Sequence, residues 1–129
     1  MLDLLFWIID GEKKNEILEL SFEFSLAIID TYKYLRTKKE YVMSKQLLRS
    51  GTSIGANVTE AQAAQSVNDF IAKMSIASKE ARETEYWLRL LVKSGYLSKY
   101  NRKSVLIDNI QSIIKLLTSI VKTTQGKNK

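Results

Sequence analysis

The residues that could do chemistry in this sequence are mostly carboxylates. Glu16, Glu19 and Glu23 form one group, and Glu80 and Glu83 form another. Neighbouring carboxylates can act as a general acid and a general base. Both groups, however, lie at helical spacing beside lysine or arginine, a pattern typical of solvent-exposed helix faces. We therefore interpret them as surface charge.

The absence of two residue types excludes most other site chemistry. The sequence has no histidine and no cysteine, so Cys/His zinc sites and Ser–His or Cys–His nucleophile pairs are impossible. We expect no enzymatic activity, no cofactor and no metal. An enzyme that uses carboxylates alone is the alternative, and it would require Glu60, Glu83 and Glu85 to converge in one pocket open to solvent.

The positive charge is concentrated near the carboxyl end. The formal net charge is +6; residues 1–95 hold 13 Lys+Arg and 13 Asp+Glu, whereas residues 96–129 hold seven Lys+Arg and one aspartate, 7 − 1 = +6. A basic segment is a typical footprint of polyanion binding, and a solvated helix face with a soluble tail is the alternative interpretation. The candidate phosphate contacts are Lys99, Arg102, Lys103, Lys115 and Lys122.

These charges must be positioned by helices. The chain of 129 residues contains no proline and only 5 glycines, which favours a few long helices in one domain. The lack of cysteine fits a cytoplasmic protein. Apolar periodicity predicts an all-α, antiparallel up-down four-helix bundle. The predicted order is an apolar N-terminal arm at 1–14, the bundle at 15–124 and a basic tail at 125–129, with helices at about 15–36, 37–62, 66–93 and 101–124.

Local signals predict several helix ends. Thr37 with Glu40, and Ser66 with Asp69, have the spacing of capping boxes and predict the starts of the second and third helices. Gly95 suits the left-handed residue that ends a helix.

The second helix is expected to pack closely against its neighbours. Gly51 and Gly55 lie four residues apart within its helical pattern, and each costs a helix roughly 1 kcal/mol relative to alanine. Close approach of neighbouring helices would explain their presence.

The first helix has a second apolar row, which extends well around the cylinder and comprises Leu18, Phe22, Leu26 and Ile29. This row needs a cover, either the N-terminal arm or another subunit.

A polar stripe runs beside the glycines. Arg49, Ser53, Asn57 and Glu60 recur at helical spacing, which predicts interhelical hydrogen bonds and ion pairs; ligand contact is the alternative. Glu85 lies at the edge of the third helix's apolar face and needs a partner, for which Arg49 is our candidate.

A longer motif extends over the second and third helices. It comprises Arg49, Ser53-Ile54, Asn57-Val58-Thr59-Glu60, Ser66, Asp69-Phe70, Ile76-Ala77, Glu83, Glu85 and Gly95-Tyr96-Leu97. This motif resembles the four-helix-bundle proteins encoded in intervening sequences of bacterial 23S ribosomal RNA genes, some of which are labelled ribosomal proteins, and the related accessory protein of diversity-generating retroelements.

The resemblance implies a homopentameric barrel of bundles in the bacterial cytoplasm, with a basic surface suited to structured RNA or DNA. Separately, the apolar run at residues 1–10 is too short to span a bilayer, and we expect no membrane partner. In the retroelement branch the implied partner is a reverse transcriptase. A protein-interaction scaffold or accessory subunit without a nucleic-acid role is therefore the alternative function. In a pentamer, 5 × 6 = +30 formal charges would favour polyanion binding through counterion release.

Overall fold

A computed structural model describes residues 11–127 of the chain. Its four helices are α1 (Gly11–Thr37), α2 (Met43–Ala61), α3 (Val67–Lys93) and α4 (Lys103–Lys127). Each packs against the next, and α1 also packs against α4, so the four close into a bundle. The predicted all-α class and the four helices are confirmed. Residues 1–10 of the apolar arm predicted at 1–14 lie outside the described residues. Residues 11–14 of that arm form the first turn of α1.

The core is built from the inward stripe of every helix. The side chains of Phe24, Ile54, Met74 and Ile113 are all at most 1% exposed. Within this interior the Thr84 hydroxyl donates to Ser50 Oγ at 2.9 Å and joins α3 to α2. The periodicity that predicts the helices therefore also identifies the faces that they bury.

The start of α2 differs from the predicted capping box. Thr37 is the last residue of α1, and Lys39 adopts a left-handed backbone with φ of 64°. The carboxylate of Glu40 then accepts hydrogen bonds from the backbone N–H groups of Met43 (3.0 Å) and Ser44 (2.7 Å). The predicted start of α2 was wrong, because the left-handed turn moves it beyond Thr37: Val42 is the N-cap residue, and the Glu40 carboxylate, two residues earlier, accepts from the first N–H groups.

Two other predicted helix ends are confirmed. Ser66 is the N-cap of α3 and its hydroxyl accepts from the Asp69 N–H at 3.0 Å. Gly95 follows α3 with φ of +97°, the left-handed conformation that glycine adopts without a Cβ clash. At the carboxyl end, α4 extends to Lys127, so part of the predicted basic tail is helical.

Among the described residues, one helix (Lys103–Gly126) is long and apolar enough to cross a membrane, judged by length and composition only. That is weak evidence, because the core helix of a bundle passes the same test. Leu106, Ile110, Leu117 and Ile120 of this helix are at most 1% exposed within the bundle.

Candidate nucleic-acid interface

The two connections α1–α2 and α3–α4 lie at the same end of the bundle, because residues near the end of α1 contact the α3–α4 connection. Together with the adjoining helix turns they carry eight cationic residues. Segment 31–42 contains one acidic residue, Glu40, and segment 93–103 contains none. We call this surface the basic end and define it by Lys33, Arg36, Lys38, Lys39, Lys93, Lys99, Arg102 and Lys103.

The turn between α1 and α2 removes its one carboxylate from the surface. Glu40 is 6% exposed, because its side chain is occupied in capping α2. Lys38 and Lys39 beside it are exposed. A turn with one acid and two adjacent lysines therefore presents mostly positive charge to solvent.

The α3–α4 connection is anchored by buried side chains. Leu97 is fully buried, and its N–H donates to the Leu91 carbonyl at 3.0 Å. The Tyr100 ring packs on Tyr34 of α1 with 4.5 Å between ring centres, and the Tyr100 hydroxyl lies 3.4 Å from the Thr31 hydroxyl. These contacts hold the second connection against the last turns of α1.

Arg102 and Lys103, at the start of α4, each have a polar partner. Arg102 Nη1 lies 3.3 Å from Asp30 Oδ2, with both side chains about half exposed. The Lys103 ammonium donates to the Ser98 carbonyl oxygen. Both groups stay at the surface while bonded, and an exposed ion pair of this kind is worth little in free energy. The pairing therefore leaves Arg102 free to exchange Asp30 for a stronger anion.

The five predicted phosphate contacts divide into two sets. Lys99, Arg102 and Lys103 belong to the basic end. Lys115 and Lys122 are exposed on α4, and at 1.5 Å rise per residue they lie roughly 18 and 28 Å along the axis from Lys103. Together with Arg82 of α3, which donates to the Thr118 hydroxyl at 3.4 Å, they line a shallow surface groove.

Sequence reasoning missed the contribution of α1 and of the α1–α2 connection to this surface. Lys33, Arg36, Lys38 and Lys39 fall within residues 1–95, where the formal charges sum to zero. The run TYKYLRTKK at 31–39 has no acidic residue and was the available signal. Averaging the charge over a long segment concealed it.

Arg49 of α2 contacts α3, but through different carboxylates from the one predicted. Its guanidinium bonds Glu80 at 3.1 Å and also bonds Glu83. Glu85 faces the other flank of α3 and lines a groove with Arg82 and Arg89. The predicted Arg49–Glu85 pair is wrong, because two residues along a helix turn the side chain by about 200°, away from α2.

The same contacts correct the prediction that Glu80 and Glu83 are plain surface charge. Glu83 also accepts a hydrogen bond from the Trp87 indole N–H at 3.0 Å. The hydrogen bonds from Trp87 and Arg49 hold the pKa of Glu83 below its usual value, and the pKa of Arg49 is raised chiefly by its hydrogen bond to Glu83. This cluster ties α2 to α3. By contrast, Glu16, Glu19 and Glu23 on α1 are exposed as predicted.

The rest of the polar stripe of α2 has mixed roles. Ser53 donates to the Arg49 carbonyl at 2.6 Å and Asn57 donates to the Ser53 carbonyl at 2.8 Å. Glu60 Oε1 lies 3.8 Å from the Lys73 ammonium of α3. The predicted interhelical ion pairs are therefore present at the two ends of the stripe, whereas its middle bonds to its own helix.

The predicted close approach at the glycines is confirmed, and α1 is the helix that approaches. A Cβ atom added at Gly51 would lie 2.9 Å from two side-chain carbons of Ile28. One added at Gly55 would lie 3.3 Å from the Ser21 carbonyl oxygen and 3.3 Å from Ser25 Oγ. The glycines therefore set the distance between α1 and α2.

An apolar groove lies outside this contact, on the surface. It has a volume of about 510 Å³, and we call it the α1–α2 groove. On the α1 side Phe22, Leu26 and Ile29 are 64%, 46% and 36% exposed, and on the α2 side small residues including Gly55 and Ala56 form the wall. The second apolar row of the first helix is thus open to solvent at these three positions.

An enzyme that uses carboxylates alone would require Glu60, Glu83 and Glu85 to converge, but these three side chains lie in different surroundings. Glu60 lines the α1–α2 groove, Glu85 lines a groove on α3, and Glu83 is bonded to Arg49 and Trp87. Within residues 11–127, no group of three or more aspartate or glutamate side chains could hold a metal ion.

Comparison with known proteins gives two findings. The family model described as 23S rRNA-intervening sequence protein matches residues 13–119. A 1.70 Å crystal structure of a protein of unknown function from the S23 ribosomal protein family of Bacteroides thetaiotaomicron VPI-5482 is similar to this chain, with 50% identity and a TM-score of 0.81; the match covers 85% of this chain and 98% of that chain. The comparison with curated proteins gave no match. Both the helical pattern and these matches lead to one conclusion: this chain belongs to the 23S rRNA-intervening sequence protein family.

Proposed function

We propose that the protein is a non-catalytic, homo-oligomeric, cytoplasmic bundle that binds structured RNA or DNA electrostatically. The observation that carries this proposal is the basic end, where two connections bring eight lysine and arginine residues together and the carboxylate of Glu40 is turned inward. RNA is the ligand that we favour, because the family is described by its association with 23S rRNA intervening sequences.

Binding of this kind depends on phosphate neutralisation. Each lysine or arginine that pairs with a phosphate releases condensed counterions, so affinity falls steeply with salt concentration. Such contacts position a ligand without reading its sequence. We expect affinity for structured RNA that depends little on base sequence.

Self-association is the second part of the proposal. The α1–α2 groove leaves three large apolar side chains of α1 in solvent, and contiguous exposed apolar surface is typical of an interface. Another copy of the chain is our proposed cover, and the family resemblance suggests five copies. Oligomerisation would multiply the number of basic ends available to one RNA.

A fluorescence anisotropy titration tests RNA binding. A labelled RNA hairpin is titrated with the full chain at 50 and 200 mM salt, a range over which several phosphate contacts cost orders of magnitude in affinity. We expect Lys33→Gln with Lys99→Gln to weaken binding and to reduce the salt slope by about one for each phosphate that is no longer neutralised. No binding at low salt would contradict the proposal.

A matched variant locates the interface. Lys115→Gln with Lys122→Gln removes the same charge from α4, outside the basic end. If the basic end is the main RNA-binding surface, this pair weakens binding less than the first pair does. Equal weakening by the two pairs of substitutions would mean that the RNA interface also includes α4, as the five phosphate contacts predicted from the sequence imply.

The alternative function is a protein-interaction scaffold or accessory subunit, for example for a reverse transcriptase. The α1–α2 groove favours it, because an apolar groove suits a protein partner as well as a second copy. A pull-down that recovers a protein partner regardless of nuclease treatment, together with no RNA binding, would support this alternative.

A further inference from the structure

The α1–α2 connection presents a tyrosine ring supported by a guanidinium group. The Cζ atom of Arg36 lies 5.1 Å from the centre of the Tyr41 ring and 5.7 Å from the centre of the Tyr32 ring. Arg36 Nη1 also donates to the Tyr32 hydroxyl at 3.3 Å. Arg36 thus contacts both rings, and its guanidinium group gives the Tyr41 ring a cation–π contact.

The ring of Tyr41 is not part of the core of the bundle. Tyr41 is 47% exposed and the neighbouring Val42 is 74% exposed. The core lies beneath this turn, where Leu35 and Leu47 are fully buried. The Tyr41 ring is therefore half-exposed at the surface, outside the buried core.

The charges around the ring suggest what it binds. Lys39 and Lys38 are exposed two and three residues before Tyr41, and the Lys38 ammonium lies 5.4 Å from the centre of the Tyr34 ring. The carboxylate of Glu40, in contrast, is occupied by the first N–H groups of α2. A positive surface with an oriented aromatic ring is the combination that binds single-stranded nucleic acid, since the ring stacks on a base while the cations contact flanking phosphates.

We infer that Tyr41 is a stacking site for an unpaired nucleotide, so that the ligand of the basic end is RNA with an exposed single-stranded segment. Bases within a continuous duplex are stacked on one another and are not available to the ring, whereas those of loops and ends are. This inference rests on the proposed function and specifies the class of RNA.

Two RNAs with equal numbers of phosphates test it. One is a hairpin carrying 2-aminopurine in its loop, and the other is a blunt duplex. The full chain should bind the hairpin more tightly, and the 2-aminopurine emission should fall on binding as the base stacks on Tyr41.

Variants at the ring separate stacking from charge. We expect Tyr41→Ala to abolish the emission change and to weaken hairpin binding by about five- to 150-fold, the range for removal of one base–aromatic stack, with little effect on the duplex. Tyr41→Phe keeps the ring and should preserve both signals. Tyr86→Ala removes a tyrosine that is 58% exposed on α3, outside the basic end, and is the matched control.

The outcomes distinguish this inference from the proposed function. Binding of both RNAs with equal affinity, unchanged in Tyr41→Ala, overturns the stacking site and leaves electrostatic binding in place. Failure to bind either RNA at low salt overturns both. An emission change that survives in Tyr41→Ala assigns the stack to another ring and also overturns the inference.

Discussion

The side chain of Ile28 occupies the space that a Cβ atom at Gly51 would need. Its Cγ1 and Cγ2 atoms both lie 2.9 Å from that position, closer than carbon atoms pack in protein interiors. Because isoleucine is branched at Cβ, its side chain has little freedom to move aside. This contact fixes how closely α1 and α2 approach.

Gly51→Ala should therefore destabilise the bundle. The overpacking costs about 1–3 kcal/mol, and the gain in helix propensity returns roughly 1 kcal/mol, so we expect a net decrease of up to about 2 kcal/mol in the free energy of unfolding by urea denaturation. Gly126→Ala is the control, since a Cβ there meets no atom within 4 Å. In a double-mutant cycle, Ile28→Ala should relieve part of the cost of Gly51→Ala. Additive effects would mean that the contact does not limit the helix approach.

Arg49 and Glu83 should be energetically coupled. Arg49 is 48% exposed in its side chain, so the expected coupling free energy is modest, about 0.5–1 kcal/mol. It is measured by a cycle of Arg49→Met and Glu83→Gln in urea denaturation. A cycle of Arg49→Met with Glu85→Gln is the matched control and should give no coupling. Coupling of Arg49 to Glu85 but not to Glu83 would instead support the Arg49–Glu85 pair predicted from the sequence.

The contribution of Glu83 to stability should disappear in acid. Its hydrogen bonds from Trp87 and Arg49 lower its pKa in the folded state, so the unfolded state binds the proton more readily. The stabilisation is present above the ordinary glutamate pKa of about 4.3 and is lost as pH falls through the lower, folded-state value. The difference in unfolding free energy between the natural chain and Glu83→Gln should be largest near neutral pH and shrink below about pH 4.

Two further variants check this pH dependence. Trp87→Phe removes the indole N–H and should weaken the pH dependence. Glu19→Gln removes an exposed carboxylate on α1, a different helix from that of Glu83, and should leave the pH dependence intact. An unchanged profile in Glu83→Gln would assign the acid sensitivity to other carboxylates.

Leu26→Lys should disrupt self-association. Leu26 is 46% exposed in the α1–α2 groove, and a charge buried there at an interface would be costly. Sedimentation velocity should give an oligomer for the natural chain and a smaller species for the variant. Val105→Lys makes the same kind of change at a residue that is 54% exposed on α4 and should leave the assembly intact. A natural chain that sediments as a monomer would remove the oligomeric part of the proposed function.

Much of the fold could be predicted from the sequence because its signals are local. The N-cap at Ser66 and the left-handed Gly95 depend on a few neighbouring residues, and the buried stripes follow from helical periodicity. Even the tight contact at Gly51 was predictable, since a glycine within a helix needs a reason. The start of α2 was misplaced, because the competing left-handed turn at Lys39 leaves no strong pattern in a lysine-rich segment.

Taken alone, the sequence determined the four helices, their inward faces and the absence of histidine and cysteine chemistry, because these depend on composition and on spacing along one chain. Only the tertiary structure decided that Arg49 meets Glu80 and Glu83, that α1 and the connection after it supply half of the basic end, and that Phe22 faces solvent. Those outcomes depend on how each helix is rotated about its axis and on which connections share an end. The rotation of each helix about its axis and the identity of its neighbours are set by the packing of all four helices together.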